Sequence, residues 1–232
     1  QKGVITASGI IDKNKTNVKF NFKNLTHEII NKYMEFKTPL KGVFYGDGTV
    51  SGKLSSLQYL IDCYADTMYI KTLKFHSLKS KIEVNKNIIS LKEAVIKFVD
   101  AEINASQGIF DTQTNIYSIM FRAVNAHLGP FNIFGNINLK GQMNKKTNGS
   151  TYKGNIELSN FWINREKLDF LALSYVIADK KIKFTGDSQN GLHVSGAANF
   201  KLYPKMQFEK VTVKNNKQIF NLTGSLSSEN LN

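Results

Sequence analysis

The chain of 232 residues is short of most things that enzymes and stapled folds are built from. Its single cysteine, Cys63, excludes an internal disulfide framework and any Cys-x-x-Cys metal knuckle, and reads as a small buried hydrophobe. Prolines number three, which suits a large continuous sheet. No run of 18 or more apolar residues occurs, so no membrane-spanning helix is expected. The first residues, Gln1-Lys2-Gly3-Val4, carry no initiator Met and no apolar signal core. The last ones, Ser227-Ser228-Glu229-Asn230, are polar, and both ends together suggest an interior slice of a longer protein. Acidic residues are outnumbered, 18 against 31 Lys and Arg, for a net charge of +13. Yet no basic run of five to eight residues is present. The dispersed lysines read as a solvated outer face that favours anions such as lipid headgroups. Their alternation with aliphatics suits buried strand faces better than base stacking, so nucleic acid is not an expected partner.

Catalytic signatures are missing too. His27-Glu28-Ile29-Ile30-Asn31 resembles half of a zinc-binding helix, but Asn31 stands where the second His is required. Gly46-x-Gly48-x-x-x-Gly52 is one residue too long for a dinucleotide loop, and no βαβ pattern follows it. There is no phosphate-binding loop and no Gly-x-Ser-x-Gly. The four histidines (His27, His76, His127 and His193) are scattered. The expectation is a non-enzymatic protein with no cofactor and no metal.

What the chain does have is alternation. Val18-x-Phe20-x-Phe22, Ile82-x-Val84, Ile96-x-Phe98, Ile137-x-Leu139, Ile156-x-Leu158, Ile182-x-Phe184, Leu192-x-Val194 and Val211-x-Val213 put apolar residues on one face of each strand. Asp47-Gly48, Asn148-Gly149, Asp179-Lys180 and Asn190-Gly191 read as turns between them. Helical spacing is confined to Leu25–Glu35 after the cap Asn24, to Ile116–His127 before Gly129-Pro130, and to a short turn at Leu57, Leu60, Ile61 and Tyr64. Ile29, Tyr33, Ile119 and Met120 on these helices are expected to plug or cap the sheet. Segments 91–99 and 168–175 fit either period, and an internal repeat decides them for strand.

That repeat carries the most information. Ile5-Thr6-Ala7-Ser8-Gly9-Ile10-Ile11-Asp12 returns as Ile103-Asn104-Ala105-Ser106-Gln107-Gly108-Ile109-Phe110-Asp111, with one inserted residue. Ile96-Lys97-Phe98 with Ile182-Lys183-Phe184, Gly52 with Gly141, and Ile70 with Leu158 keep offsets of 86 to 89 residues. The reading is a single repetitive β domain over 1–232, with units 13–112 and 113–200 flanked by 1–12 and 201–232. Repeats that each bury one face need neighbours, so further repeats of the same chain are expected partners.

The stretches Gly46-Asp47-Gly48-Thr49-Val50-Ser51-Gly52-Lys53-Leu54, Phe134-Gly135-Asn136-Ile137-Asn138-Leu139-Lys140-Gly141 and Tyr152-Lys153-Gly154-Asn155-Ile156-Glu157-Leu158-Ser159-Asn160 have a rhythm of glycine, apolar strand and asparagine. In this the chain resembles the AsmA-like superfamily, closest to the C-terminal region of the TamB proteins. Residues 55–66 depart from the rhythm and read as an insertion. The resemblance implies a mainly all-β fold, a long antiparallel sheet folded into a U-shaped, taco-like groove with two or three short helices. It further implies a periplasmic location in a parent anchored in the inner membrane, phospholipid as the ligand, and an outer-membrane barrel protein as a further partner.

The apolar alternation supplies a physical case of its own, because an open greasy face is costly in water unless something covers it. The residues expected to line a lipid groove are Ile70, Ile82, Val84, Ile96, Phe98, Ile137, Leu139, Ile156, Leu158, Ile182, Phe184, Leu192 and Val194. Two other readings stay open: a scaffold for outer-membrane protein assembly by strand addition, and a closed basic β-sandwich that binds an anionic polymer.

Overall fold

The computed structural model describes residues 3–28, 40–70, 73–98, 101–128, 131–146, 149–199, 205–214 and 218–227. The chain divides into two compact units, 1–113 and 114–232. This division falls one residue from the boundary drawn between the two sequence repeats.

The first unit contains β1 (Val4–Ile11), β2 (Thr16–Thr26), β3 (Leu40–Lys53), β4 (Ser56–Ile70), β5 (Leu73–Phe75), β6 (Ser77–Asn85), β7 (Ile88–Lys97) and β8 (Glu102–Asp111). They pair antiparallel as β1-β2-β3-β4-β6-β7-β8, and the short β5 folds back on the end of β4. The second unit contains β9 (Ile116–Leu128), β10 (Phe131–Lys146), β11 (Gly149–Ile163), β12 (Glu166–Ala178), β13 (Lys181–Ser188), β14 (His193–Asn199), β15 (Lys205–Lys214) and β16 (Ile219–Ser227). These pair antiparallel in chain order. The expected class is the one observed: all-β, antiparallel, a meander in each unit.

Tight turns make the meander possible. Asp179 and Lys180 both adopt positive φ, 50° and 62°, the mirror-image turn whose twist matches that of the flanking strands. Asn115, Asn164 and Lys86 supply left-handed residues at other hairpins. Gly191 has φ 75° beside Asn190, as read from the sequence. Asp47-Gly48 is a correction. Both residues lie in mid-strand in β3, and Gly48 is needed there because a Cβ would sit 2.5 Å from the Phe20 ring.

The helices were overestimated. Segment 116–127 is β9, although Ile116, Ile119, Met120 and Ala123 fit a helical period. Tyr117, Ile119, Phe121 and Ala123 fit period 2 equally well, and the long partner β10 satisfies the backbone of that alternative. Leu57, Leu60, Ile61 and Tyr64 lie in β4, so the short helical turn expected there is a strand. Leu25 and Thr26 extend β2, and His27 and Glu28 are helical. The remainder of that expected helix, with Ile29 and Tyr33, lies outside the described residues, as do Gly129-Pro130 and Asn148. Segments 91–97 and 168–175 are strand, as the repeat argued.

Pairing of β8 with β7 steps from Ala105–Ala94 to Gly108–Leu91, and Ser106 and Gln107 are both exposed between buried Ala105 and Gly108. The ladder skips two residues on each strand, Ser106-Gln107 and Lys92-Glu93, without a change of register, and Ala105 and Gly108, three residues apart, are both buried.

Candidate functional site

Residues directly opposite in a ladder share a face, so the register turns the alternation of each strand into rows that cross a sheet. In the first unit one row runs Phe20–Gly48–Ile61–Ile82–Leu91–Gly108. Flanking rows on the same face run Val18–Val50–Tyr59–Val84–Ile89–Phe110 and Leu25–Phe44–Ala65–Leu78–Ile96–Ile103. In the second unit the rows are Ile119–Leu139–Ile156–Leu173–Gly186–Val194, Phe121–Ile137–Leu158–Leu171 and Tyr152–Ile177–Ile182–Ala198. None of these rows contains a charged residue.

These faces are not sealed. Phe20, Ile61, Ile82, Val84, Ile137, Leu139, Ile156 and Ile182 are all half-buried, and Ile89 and Tyr152 are exposed. Among the described residues no large side chain is fully buried, which is what a single sheet layer with one uncovered apolar side produces. Among the described residues the buried hydrophobic cluster lies at an end of the first unit's apolar face. Phe22, Phe44, Ala65, Met68 and Phe75 pack there with Leu78, Ile96 and Phe98, and the Phe75 and Phe98 rings are 4.9 Å apart.

The expected lining residues are therefore placed as follows. Ile82, Val84 and Ile96 lie on the apolar face of the first unit, and Phe98 packs at its core end. Ile137, Leu139, Ile156, Leu158, Ile182, Phe184 and Val194 lie on the apolar face of the second. Leu192 precedes β14, half-buried in the β13–β14 turn, where its N–H donates to Ser188 Oγ at 3.0 Å. Ile70 ends β4, and its side chain lies outside the described residues. Ile119 sits in the second unit's apolar rows, whereas Met120 is on the opposite face and exposed, so neither caps the sheet from a helix.

Sequence reading missed part of the surface. Phe20 and Phe22 alternate in plain view. Tyr59, Ile61, Ile119 and Phe121 were hidden because their segments also fitted a helix. Tyr117 and Tyr175 could not be paired from sequence at all. They sit on β9 and β12, with Gly141 and Gly154 between them in one row. Three strand spacings separate them, about 14 Å. Both rings lie along the row and their hydroxyls hydrogen-bond over the glycines. A Cβ at Gly141 would fall 2.6 Å from Tyr117 Oη. Aromatic side chains also lie on glycines at Phe20–Gly48, Phe22–Gly46 and Phe184–Gly196, covering backbone that has no side chain of its own.

Burial, reinforced by the Tyr117 hydrogen bond, pushes the Tyr175 hydroxyl well above the usual tyrosine range. The unfolded chain releases this proton first, near the ordinary value of 10. The contribution is thus present at lower pH and lost as pH rises through and beyond that value. Chemical denaturation between pH 8 and 11 should show a steeper alkaline loss of stability in the native chain than in Tyr175→Phe. Equal slopes would mean that the hydroxyl pair is not held in the folded state.

The opposite faces carry the ion pairs, beside exposed apolar side chains such as Leu60, Met120 and Val176. Lys81–Asp62 (3.8 Å), Lys92–Glu83 (2.8 Å) and Lys97–Glu102 (3.5 Å) lie on the first unit's polar side, and Lys167–Asp169 (3.0 Å) on the second's. The Lys167 hydrogen bond, aided by Asn190, holds the Asp169 carboxyl below its ordinary range. Such solvated pairs keep this side wet more than they stabilise it. Two open hollows, of about 480 and 460 Å³, lie at hairpin ends around Lys86-Asn87 and Asp179. Their linings are largely polar and include none of the expected lipid-groove residues. Among the described residues no cluster of three or more His, Cys, Asp or Glu could hold a metal ion, and no helix is long and apolar enough to cross a membrane.

Comparison with protein-family models, with curated proteins and with solved structures gives no match for this chain.

Proposed function

We propose that this chain is a non-enzymatic lipid-binding module that shields phospholipid acyl chains on its apolar sheet faces, within a periplasmic protein that passes lipid between bacterial membranes. The observation that carries the reading is the set of uncharged rows, in which many large aliphatic side chains are only half-buried among the described residues. A contiguous apolar surface of this kind calls for an occupant. An acyl chain gains about 0.8 kcal/mol for each CH2 it buries, so several contacts hold it without a polar anchor. Rows of similar aliphatics present a nearly uniform wall along which a chain can slide. Phosphate headgroups would remain at the rim, within reach of the lysine-rich polar side. A closed sandwich would need these rows sealed by a second layer, and their exposure favours lipid over that alternative.

Strand addition is the second reading, favoured by β1. Every residue of β1 is exposed, with Ile5, Ile10 and Ile11 at 63%, 69% and 73%. Its outer edge is open to an added strand, either from a further repeat or from an outer-membrane barrel precursor.

Cys63 gives a direct test. It lies half-buried in the row Phe22–Gly46–Cys63–Ser80–Ala94 on the first unit's apolar face, and burial pushes its thiol up. An apolar thiol reagent such as dithiodipyridine should modify it several-fold more slowly after incubation with phosphatidylglycerol vesicles. Native mass spectrometry of the same sample should show bound lipid. An unchanged rate together with lipid-free protein rules the proposal out.

A further inference from the structure

We infer that the Tyr117–Tyr175 hydroxyl pair is a docking point for an acyl carbonyl oxygen, so that the second unit holds a lipid in register instead of holding only its tails. The inference rests on the lipid reading above and adds a polar contact to it. The pair places two hydroxyl groups, hydrogen-bonded to each other, within the second unit's apolar face. It lies over the Gly141–Gly154 floor, between the row Ile119–Leu139–Ile156–Leu173 and the row Tyr152–Ile177–Ile182.

Donor arithmetic argues for a ligand. Two phenols hold two O–H groups, and the hydrogen bond between them uses one. The second O–H has no protein acceptor among the described residues. Tyr175, 4% exposed, is satisfied by donating to Tyr117, which leaves the O–H of the half-buried Tyr117 to donate on the open face. An acid cannot fill the need from the protein side, because the surrounding rows carry no charge. A carbonyl oxygen meets the requirement: it accepts, it is uncharged in an ester, and it is covalently attached to the apolar chains that the neighbouring rows suit. Tyr117, which is only half-buried, leaves the pair approachable from the open face. Gly141 is what permits this, since a side chain there would collide with the Tyr117 ring.

Two sources can present such an oxygen, a diacyl phospholipid ester and a free fatty acid. The experiment compares dioleoyl phosphatidylglycerol, its dialkyl ether analogue without carbonyls, and oleate. They are titrated against the native chain, Tyr117→Phe and Tyr175→Phe, after circular dichroism confirms the sheet in each. Expected is an ester affinity roughly fivefold above that of the ether lipid in the native chain. In both phenylalanine variants that advantage disappears while ether affinity is unchanged. A tyrosine-dependent preference for oleate over the ester lipid supports the same contact with a free acid as its source. Equal binding of ester and ether by the native chain, or an ester advantage that survives both substitutions, overturns the docking point and leaves the apolar face as a lipid surface. Failure of every lipid to bind overturns both.

Discussion

Leu139→Glu should abolish acyl-chain loading of the second unit while leaving its sheet folded. Leu139 lies mid-row, between Ile119 on β9 and Ile156 on β11, and is half-buried. A carboxylate there can still reach water in the free protein, so the fold tolerates it. Under a lipid tail it would have to lose that water. A tail that avoids it gives up contact for about four methylenes, some 3 kcal/mol, or roughly a hundredfold in affinity. The neighbouring Lys140 supplies the control, since it faces the opposite side of the same strand and is exposed. Lys140→Glu makes a larger change in charge, yet should shift loading by a few-fold at most, through headgroup attraction alone. Lipid retention measured by native mass spectrometry separates the two variants. If both lose lipid equally, net charge and not the apolar row governs binding.

Gly154→Val should cost about 3 kcal/mol or more, a fall of roughly 10 °C in melting temperature for a unit of this size. An added Cβ would stand 2.0 Å from the carbonyl oxygen of Lys140 and 2.6 Å from the Cα of Gly141, both of them backbone that cannot turn aside. The ladder between β10 and β11 would have to part locally, and the tyrosine pair above it would separate. Gly224→Ala is the matched control, because nothing lies within 4 Å of a Cβ there, and its effect should stay within about 0.5 kcal/mol. Thermal melts of the two variants test whether mid-strand glycines are a packing requirement or only a compositional habit. Comparable losses at both positions would refute the close-approach account.

Both results bear on a molecule whose sheets are wide and whose core is thin. The buried residues are few and often small: Ala65, Ala94, Ala105, Ala123 and Ala198 stand among a handful of larger ones. In such a protein the ladder hydrogen bonds and the aromatic–glycine contacts carry stability that a sandwich would draw from its interior. The uncovered apolar residues stay available for a ligand.

Strand character and the apolar side of many strands, with several of the hairpins, were legible in the amino-acid sequence alone. All three are local: side chains alternate with period 2 whatever the partner strand is, and a left-handed turn such as Asp179-Lys180 is set within a few residues. The repeat then located strands where a single segment was ambiguous. Only the tertiary structure could decide between helix and strand at Ile116–Leu128, because that segment satisfies both periods and the choice belongs to β10, which offers it a ladder. Tertiary structure also decided that Asp47-Gly48 continues a strand, since an aromatic ring from β2 occupies the space above the glycine. It alone brought Tyr117 to Tyr175, 58 residues away, through the stacking of four strands in register. Period and turn chemistry act between near neighbours, whereas register is a property of the whole sheet, and the hydroxyl pair exists only once every intervening strand is in place.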